Sequence, residues 1–175
     1  MDWPQIQKIL QKVLKTKKGI SRIEAYDISN IQGQEATGSM VTFVRGLPDK
    51  NFYRKFKIRI AGKPNDIAMI KEVLSRRFEH PEWLYPDLIL IDGGKAQLNA
   101  TLTVLNQHKS VKSASISVLA LAKKENKLYI ENRKKPILLK SLPREIFNLI
   151  LQLRDEAHRF AISYHKKLRD MTLLK

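Results

Sequence analysis

Acidic side chains that close apolar segments are the residues of this 175-residue chain whose type and setting could do chemistry, and Asp92 is the plainest of them. It ends the run Leu88-Ile89-Leu90-Ile91, fenced by Pro86 before it and Gly93-Gly94 after it. Four apolar residues so bounded read as a strand buried on both faces. The glycines permit a sharp turn, and Leu98, Leu102 and Leu105 then recur at helical spacing. Asp92 is therefore expected at the carboxyl end of a central strand, the edge at which open α/β sheets bind ligands. A turn residue or helix cap is the plainer reading of Asp-Gly. A nucleotide-hydrolysing site would also need a glycine-rich phosphate loop ending Gly-Lys-Ser/Thr. Here Gly62-Lys63 runs into Pro64 and Gly94-Lys95 into Ala96, so that reading falls away and metal binding remains.

Two more carboxylates and one imidazole have comparable settings. Arg22-Ile23-Glu24-Ala25-Tyr26-Asp27-Ile28-Ser29 alternates in polarity and reads as a strand with Asp27 near its end. Asn65-Asp66 opens a helix with the stripe Ile67, Ile70, Val73, Leu74 and Phe78, and capping that helix is the plainer role for Asp66. A last long helix starts at Leu142-Pro143, proline being suited to a first turn, and its first half is apolar almost all round. Polarity then arrives abruptly at Arg154-Asp155-Glu156-Ala157-His158-Arg159. Arg154 and Leu151 lie four and seven residues before His158, so the helix carries Arg154 and His158 out of the core on one face. A lone helical histidine is more often structural. His165 follows two turns on, no His-x-x-x-His pair exists, and His80 and His108 fall in a loop and at a helix end.

The elements that must position these groups belong to a strongly basic chain. With 33 Lys and Arg against 17 Asp and Glu, the net charge is +16 and the pI near 10.1, which favours an extended polyanion as partner. A membrane surface is the alternative anion, but no long apolar span or leader supports it. The absence of cysteine excludes disulfides and zinc–thiolate sites and fits a reducing, cytoplasmic setting. Length and a 43% hydrophobic content fit one domain with short appendages: a basic amphipathic helix over 1–19, the domain over 20–169 and a tail over 170–175. Residues 38–44 and 52–60 read as strands joined by a turn at Gly46-Leu47-Pro48-Asp49. The second interleaves Arg54, Lys55, Lys57 and Arg59 with aromatic and aliphatic residues, as suits a solvated edge or a face turned to nucleic acid. Residues 115–122 read as a further strand, and 127–130 with 136–139 as a hairpin around the basic tip Asn132-Arg133-Lys134-Lys135.

Three strands, a helix, the Asp92 strand, a helix, a strand, a hairpin and a helix resemble in order the ribonuclease H-like fold. The expectation is an α/β domain with a mixed five-stranded sheet flanked by helices and an extra basic hairpin. In that fold, acidic residues ending the first and fourth strands converge on divalent metal beside a scissile phosphate; the matching positions are Asp27 and Asp92. The chain also resembles one family, the carboxyl-terminal endonuclease domain of UvrC, from bacterial nucleotide excision repair. The match runs through Arg22-Ile-Glu-Ala-Tyr-Asp27-Ile-Ser-Asn-Ile-Gln-Gly33, Ser39-Met-Val-Thr-Phe43, Tyr53-Arg-Lys-Phe-Lys-Ile58 and residues 86–98. It closes with Leu119-Ala-Leu-Ala-Lys123, Arg154-Asp-Glu-Ala-His-Arg-Phe-Ala-Ile162 and His165.

The resemblance implies a metal-dependent DNA phosphodiesterase that incises on the 5′ side of a lesion, with Asp27, Asp92 and His158 as catalytic triad and metal-binding residues. A further family aspartate maps onto Asp66, although Lys63-Pro64-Asn65 departs from the usual lead-in. Carboxylates are hard oxygen ligands suited to Mg²⁺ or Mn²⁺, and a histidine could be a nitrogen ligand or an acid/base. Arg54, Lys95, Arg154, Arg159, His165, Lys166 and Lys167 are the expected DNA contacts. The implied partner is damaged double-stranded DNA. Relative to the whole family this chain carries no GIY-YIG nuclease, UvrB-binding segment or helix-hairpin-helix pair, so a UvrB–DNA pre-incision complex is expected to meet it only through a full-length protein. A non-catalytic basic DNA-binding module on the same fold is the competing reading.

Overall fold

The apolar run before Asp92 forms strand β5 (Leu88–Asp92), buried through Ile91 and exposed at Asp92. It pairs in parallel with β1 (Arg22–Ser29) on one side and β6 (Ser117–Ala122) on the other. β1 pairs antiparallel with β2 (Thr37–Val44), and β2 carries the short β3 (Leu47–Pro48) and β4 (Arg54–Lys57) along its outer edge. β7 (Lys127–Ile130) and β8 (Ile137–Leu138) extend the opposite side, antiparallel to β6. The computed structural model describes residues 1–29, 36–60 and 65–173, the side chains of residues 164, 165, 168 and 172 apart; residues 30–33 of the first matching block and Lys63-Pro64 therefore lie outside it.

Among the described residues this is one eight-stranded mixed sheet, flanked by helices as the ribonuclease H-like expectation requires. It is wider than the five strands expected. The hairpin hydrogen-bonds onto β6 instead of standing apart, and Leu47–Pro48, read as turn, bridges β2.

Successive side chains of a strand point to opposite faces, so each face has its own core. On one face Ile23, Ala25, Leu88, Leu90, Leu119 and Leu121 pack with Leu149, Ile150, Leu153 and Ala157 of α5 (Arg144–Leu173). The apolar stripe of α1 (Trp3–Leu14) lies against the same cluster through Ile6, Ile9 and Val13. On the other face Tyr26, Met40, Ile89 and Ile91 pack with α2 (Asp66–Phe78) and α3 (Lys95–Gln107). A short α4 (Lys109–Ala114) follows α3.

β1 is thus covered on both faces although its sequence alternates in polarity. The reason is Glu24. Its carboxylate is fully buried and receives Arg77 Nε at 3.0 and 3.2 Å and Arg77 Nη2 at 2.9 Å, while the Tyr26 hydroxyl donates to it at 2.6 Å. Arg77 Nη2 also donates to the Leu84 carbonyl at 2.7 Å. Burying a charge is costly unless it is paired and hydrogen-bonded, and here both partners are. Arg77 ends α2 while Glu24 begins β1, and a Cβ on Gly38, opposite Ile28, would come within 2.5 Å of Val73 Cγ2. α2 therefore runs antiparallel to β1, with Asp66 heading for the edge where β1 ends.

The turn after β5 depends on Gly93, whose φ is +141° and whose added Cβ would lie 2.8 Å from Gln97 Cβ. Its N–H donates to the Leu121 carbonyl at 2.8 Å, and the Gly94 N–H donates to Gln97 Oε1 at 2.9 Å. Asp92 is held at the strand end by this clasp.

Replacing Arg77 by Met leaves the Glu24 carboxylate buried and uncompensated and is expected to lower stability by about 3–5 kcal/mol in urea unfolding. The double variant Glu24→Gln/Arg77→Met is expected to lose much less than the two single losses added. Gly93→Ala forces a Cβ into a backbone region that L residues rarely adopt and is expected to cost about 1–3 kcal/mol in the same measurement.

Candidate active site

Three parallel strands, β1, β5 and β6, end at one edge of the sheet. Ala25, Leu90 and Leu121 all belong to the α5-facing core. Alternation places the residues two further along, Asp27, Asp92 and Lys123, on the same face. The pairing of Tyr26 with Ile91 carried one residue on sets Asp27 beside Asp92, and Asp92 is itself paired with Leu121. Two carboxylates from segments far apart in sequence thus arrive side by side. Asp27, Asp92 and Lys123 line one small cleft with Arg154 of α5.

Asp27 is nearly enclosed, its side chain 10% exposed, and its Oδ2 shares a hydrogen bond of 3.1 Å with Nδ1 of His158, whose side chain is 57% exposed. Asp92 is 43% exposed, with Lys123 Nζ at 3.2 Å from its Oδ2. Lys123 was not singled out as a site residue from the sequence. Its signal lay in the block Leu119-Ala-Leu-Ala-Lys123, where it follows Leu121 by two, just past the strand end. Arg154 faces the cleft while its guanidinium is held by Asp155 Oδ1 at 3.0 and 2.8 Å.

The remaining candidates separate. Asp66 is the first residue of α2, and the cap is its neighbour Asn65, whose Oδ1 accepts from Ala68 N–H at 2.8 Å. Asp66 approaches the same sheet edge from the opposite face and does not line the cleft. Arg54 points away from α5: its Nη1 donates to the Asn51 and Tyr53 carbonyls, both at 2.9 Å, and its guanidinium lies 4.8 Å from the Trp83 ring centre. Arg159 is paired with Glu156, which also accepts from the Tyr53 hydroxyl at 2.9 Å. The Arg159 hydrogen bonds hold the Glu156 carboxyl below its usual range. Lys95 is exposed at the first turn of α3, and Lys166 and Lys167 are exposed on α5. The His165 side chain lies outside the described residues.

Among the described residues no three His, Asp or Glu side chains form a ready-made metal cage. Mg²⁺ does not require one: it is usually held by one or two carboxylates and completes its shell with water and substrate phosphate. Adjacent Asp27 and Asp92, one of them open to solvent, fit that demand. Among the described residues, no helix is long and apolar enough to cross a membrane.

The family model for the UvrC RNase H endonuclease domain matches residues 11–162. The chain is 46% identical over 167 residues to UvrABC system protein C of Dictyoglomus thermophilum, covering 94% of this chain and 27% of that protein. It is 41% identical over 183 residues to the protein of the same name from Geotalea daltonii, covering 97% and 29%. The chain thus spans less than a third of the length of these relatives. Among solved structures, endonuclease V of Ciona intestinalis in complex with an inosine-containing 23mer DNA is similar at 14% identity and a TM-score of 0.45, covering 97% of this chain and 66% of that one. On the family match and these identities, the chain belongs to the family of the UvrC RNase H endonuclease domain.

Proposed function

We propose that this domain is a metal-dependent endodeoxyribonuclease of excision repair, which hydrolyses one phosphodiester on the 5′ side of a DNA lesion using Asp27, Asp92 and His158. The observation that carries the reading is the convergence of Asp27 and Asp92 at adjacent strand ends, with His158 on Asp27. Asp27 and Asp92 are the residues that would hold Mg²⁺ or Mn²⁺. Such an ion, when bound, would supply Lewis-acid polarisation of the phosphate and a water of lowered pKa.

The chain's own residues do the rest. Asp27, enclosed and fixed by His158, presents a carboxylate that does not wander. Asp92, at the open side, can exchange its Lys123 contact for another cation. The His158 ring, more than half exposed, can pass a proton to or from an oxygen at the phosphate. Arg154 lines the same cleft as both carboxylates and would orient phosphate. Asp66 stands outside the cleft and supports the site, if at all, from the other face. Damaged duplex DNA is the substrate, held by lysines and arginines that grip backbone without reading bases. Delivery to a UvrB–DNA pre-incision complex would come through a full-length protein.

The test is cleavage of a 5′-labelled duplex carrying one bulky adduct, with Mg²⁺ or Mn²⁺ and with or without UvrA and UvrB. Asp27→Asn and Asp92→Asn each remove part of a charge stabilisation of several kcal/mol and are expected to lower cutting by at least about 10³-fold. DNA binding should stay intact or strengthen. Wild-type rates in either variant, or EDTA-resistant cutting, would sink the assignment. Salt-sensitive binding with no cutting by the wild type under any of these conditions would instead favour the non-catalytic module.

A further inference from the structure

The cleft that holds Asp27 and Asp92 is narrow, with a volume of only about 10 Å³, and has no room for a base. A second cavity, of about 480 Å³, opens beside it between α5 and the β7–β8 hairpin, and Arg154 lines both. Its size falls within the range of roughly 300–1,000 Å³ usual for small-ligand pockets. The sequence of α5 explains why the two adjoin. Phe147, Leu151, Arg154 and His158 follow one another at intervals of four, three and four residues, so they form one stripe along the helix. Leu151 and Phe147 stand about 4.5 and 10.5 Å before Arg154 along the axis. The stripe turns from apolar to charged where the large cavity gives way to the carboxylate cleft.

The opposite wall comes from the hairpin. Leu139 is buried in the core, whereas Leu138 beside it is 44% exposed and lines the cavity. Asn126 stands at the turn between β6 and β7, which follows the same carboxyl edge that carries Asp92 because β6 is parallel to β5. Its backbone is left-handed, with φ 51°, and its carbonyl is taken by the Leu139 N–H at 2.8 Å. The residue is exposed, and it lines the cavity beside Glu125, whose carboxylate has Lys127 Nζ at 3.5 Å. Lys140 and Arg154 add positive charge to the same wall. Half-exposed apolar side chains, an amide that both donates and accepts, and two cations complement a flat apolar ring system with a mixed hydrogen-bonding edge on an anionic chain.

We infer that this cavity receives one unpaired base of the strand to be cut, next to the scissile phosphate, with Phe147, Leu151 and Leu138 around its ring and the Asn126 amide at its edge. The inference rests on the nuclease reading for the identity of the strand but not for its test. Apolar contact serves every base, and an amide offers both a donor and an acceptor, so the pocket fixes the position of the strand without reading its sequence. Extruding a base costs least where pairing is already lost, which ties occupancy of the pocket to distorted duplex.

The experiment measures affinity of the chain in EDTA, so that no cutting occurs, for duplexes of one sequence that carry either one central unpaired 2-aminopurine or an abasic spacer in its place. The wild type is expected to prefer the base to the spacer on the order of tenfold and to shield it from quenching by acrylamide. Asn126→Gly, which keeps the left-handed backbone, and Leu138→Ala, at an exposed position, should each lose most of that preference while binding the spacer duplex as the wild type does. Weaker binding of the spacer duplex by one variant marks a folding defect, and the other variant then carries the test. Equal affinity of the wild type for base and spacer overturns the inference, and that is the outcome if the cavity serves a protein segment instead. Variants that keep the full preference overturn it as well. In Mg²⁺ or Mn²⁺, cutting by the wild type should fall at one fixed distance from the unpaired base. Cutting without the preference would leave the nuclease reading standing without this pocket, whereas the preference without cutting would sink the nuclease reading alone.

Discussion

Glu24 and Asp27 lie three residues apart on β1 and so point to opposite faces, and the arrangement depends on how one central strand carries both charges inward. Glu24 is neutralised completely, by three hydrogen bonds from Arg77 and one from Tyr26, in a place with no exposure. A bidentate arginine matches a carboxylate in shape as well as charge. The pair therefore fixes direction as well as contact: it clamps the end of α2 to the start of β1 and leaves the α5 face of the strand to Asp27. Among the described residues Asp27 has no such partner. It has one imidazole, on a side chain more than half exposed, and an open neighbour in Asp92. One carboxylate on the strand serves the fold and the other stays available for chemistry, and the difference lies in which helix covers each.

Parallel pairing does the next part of the work. β1, β5 and β6 point the same way, so their carboxyl ends form one edge: the core row Ala25, Leu90 and Leu119 is followed two residues on by Asp27, Asp92 and Leu121, and Lys123 comes two residues after Leu121. A one-residue slip of β5 would turn Asp92 to the α3 side. The slip is opposed by Leu88 and Leu90, which would exchange cores with Ile89 and Ile91, and by the Gly93–Gln97 clasp that ends the strand at one residue only.

Much of this was legible in the residues. β5 could be read because a strand buried on both faces is a plain apolar run, and its edge because glycines punctuate it. β1 was located but its surroundings were not: alternation of Glu24 and Tyr26 with apolar neighbours looks the same whether a polar side chain meets water or Arg77, 53 positions away. The charges of residues 52–60 divide by parity, which puts Lys55 and not Arg54 on the α5 face, but only the register with Ser39 shows which parity faces α5. Asn65 took the cap for which Asp66 was the nominal residue, because the helix begins one position earlier than its acidic residue suggests. The hairpin's attachment to β6 is made of backbone hydrogen bonds, which composition does not encode.

The helix α5 then converts a sheet edge into a site with two sides. Its Ala157 and Ala161 are small and fully buried, so it sits close upon the sheet, and the residues beside them on each flank reach the strands. Arg154 and His158 go to the β5 side and Glu156 and Phe160 to the β4 side, where Tyr53 and Lys55 meet them. Because both sets hang from one continuous helix, a shift of the helix cannot move one without the other. Residues joined in this way hold their separation by covalent geometry, which is what the proposed placement of one phosphodiester at Asp27 and Asp92 would require.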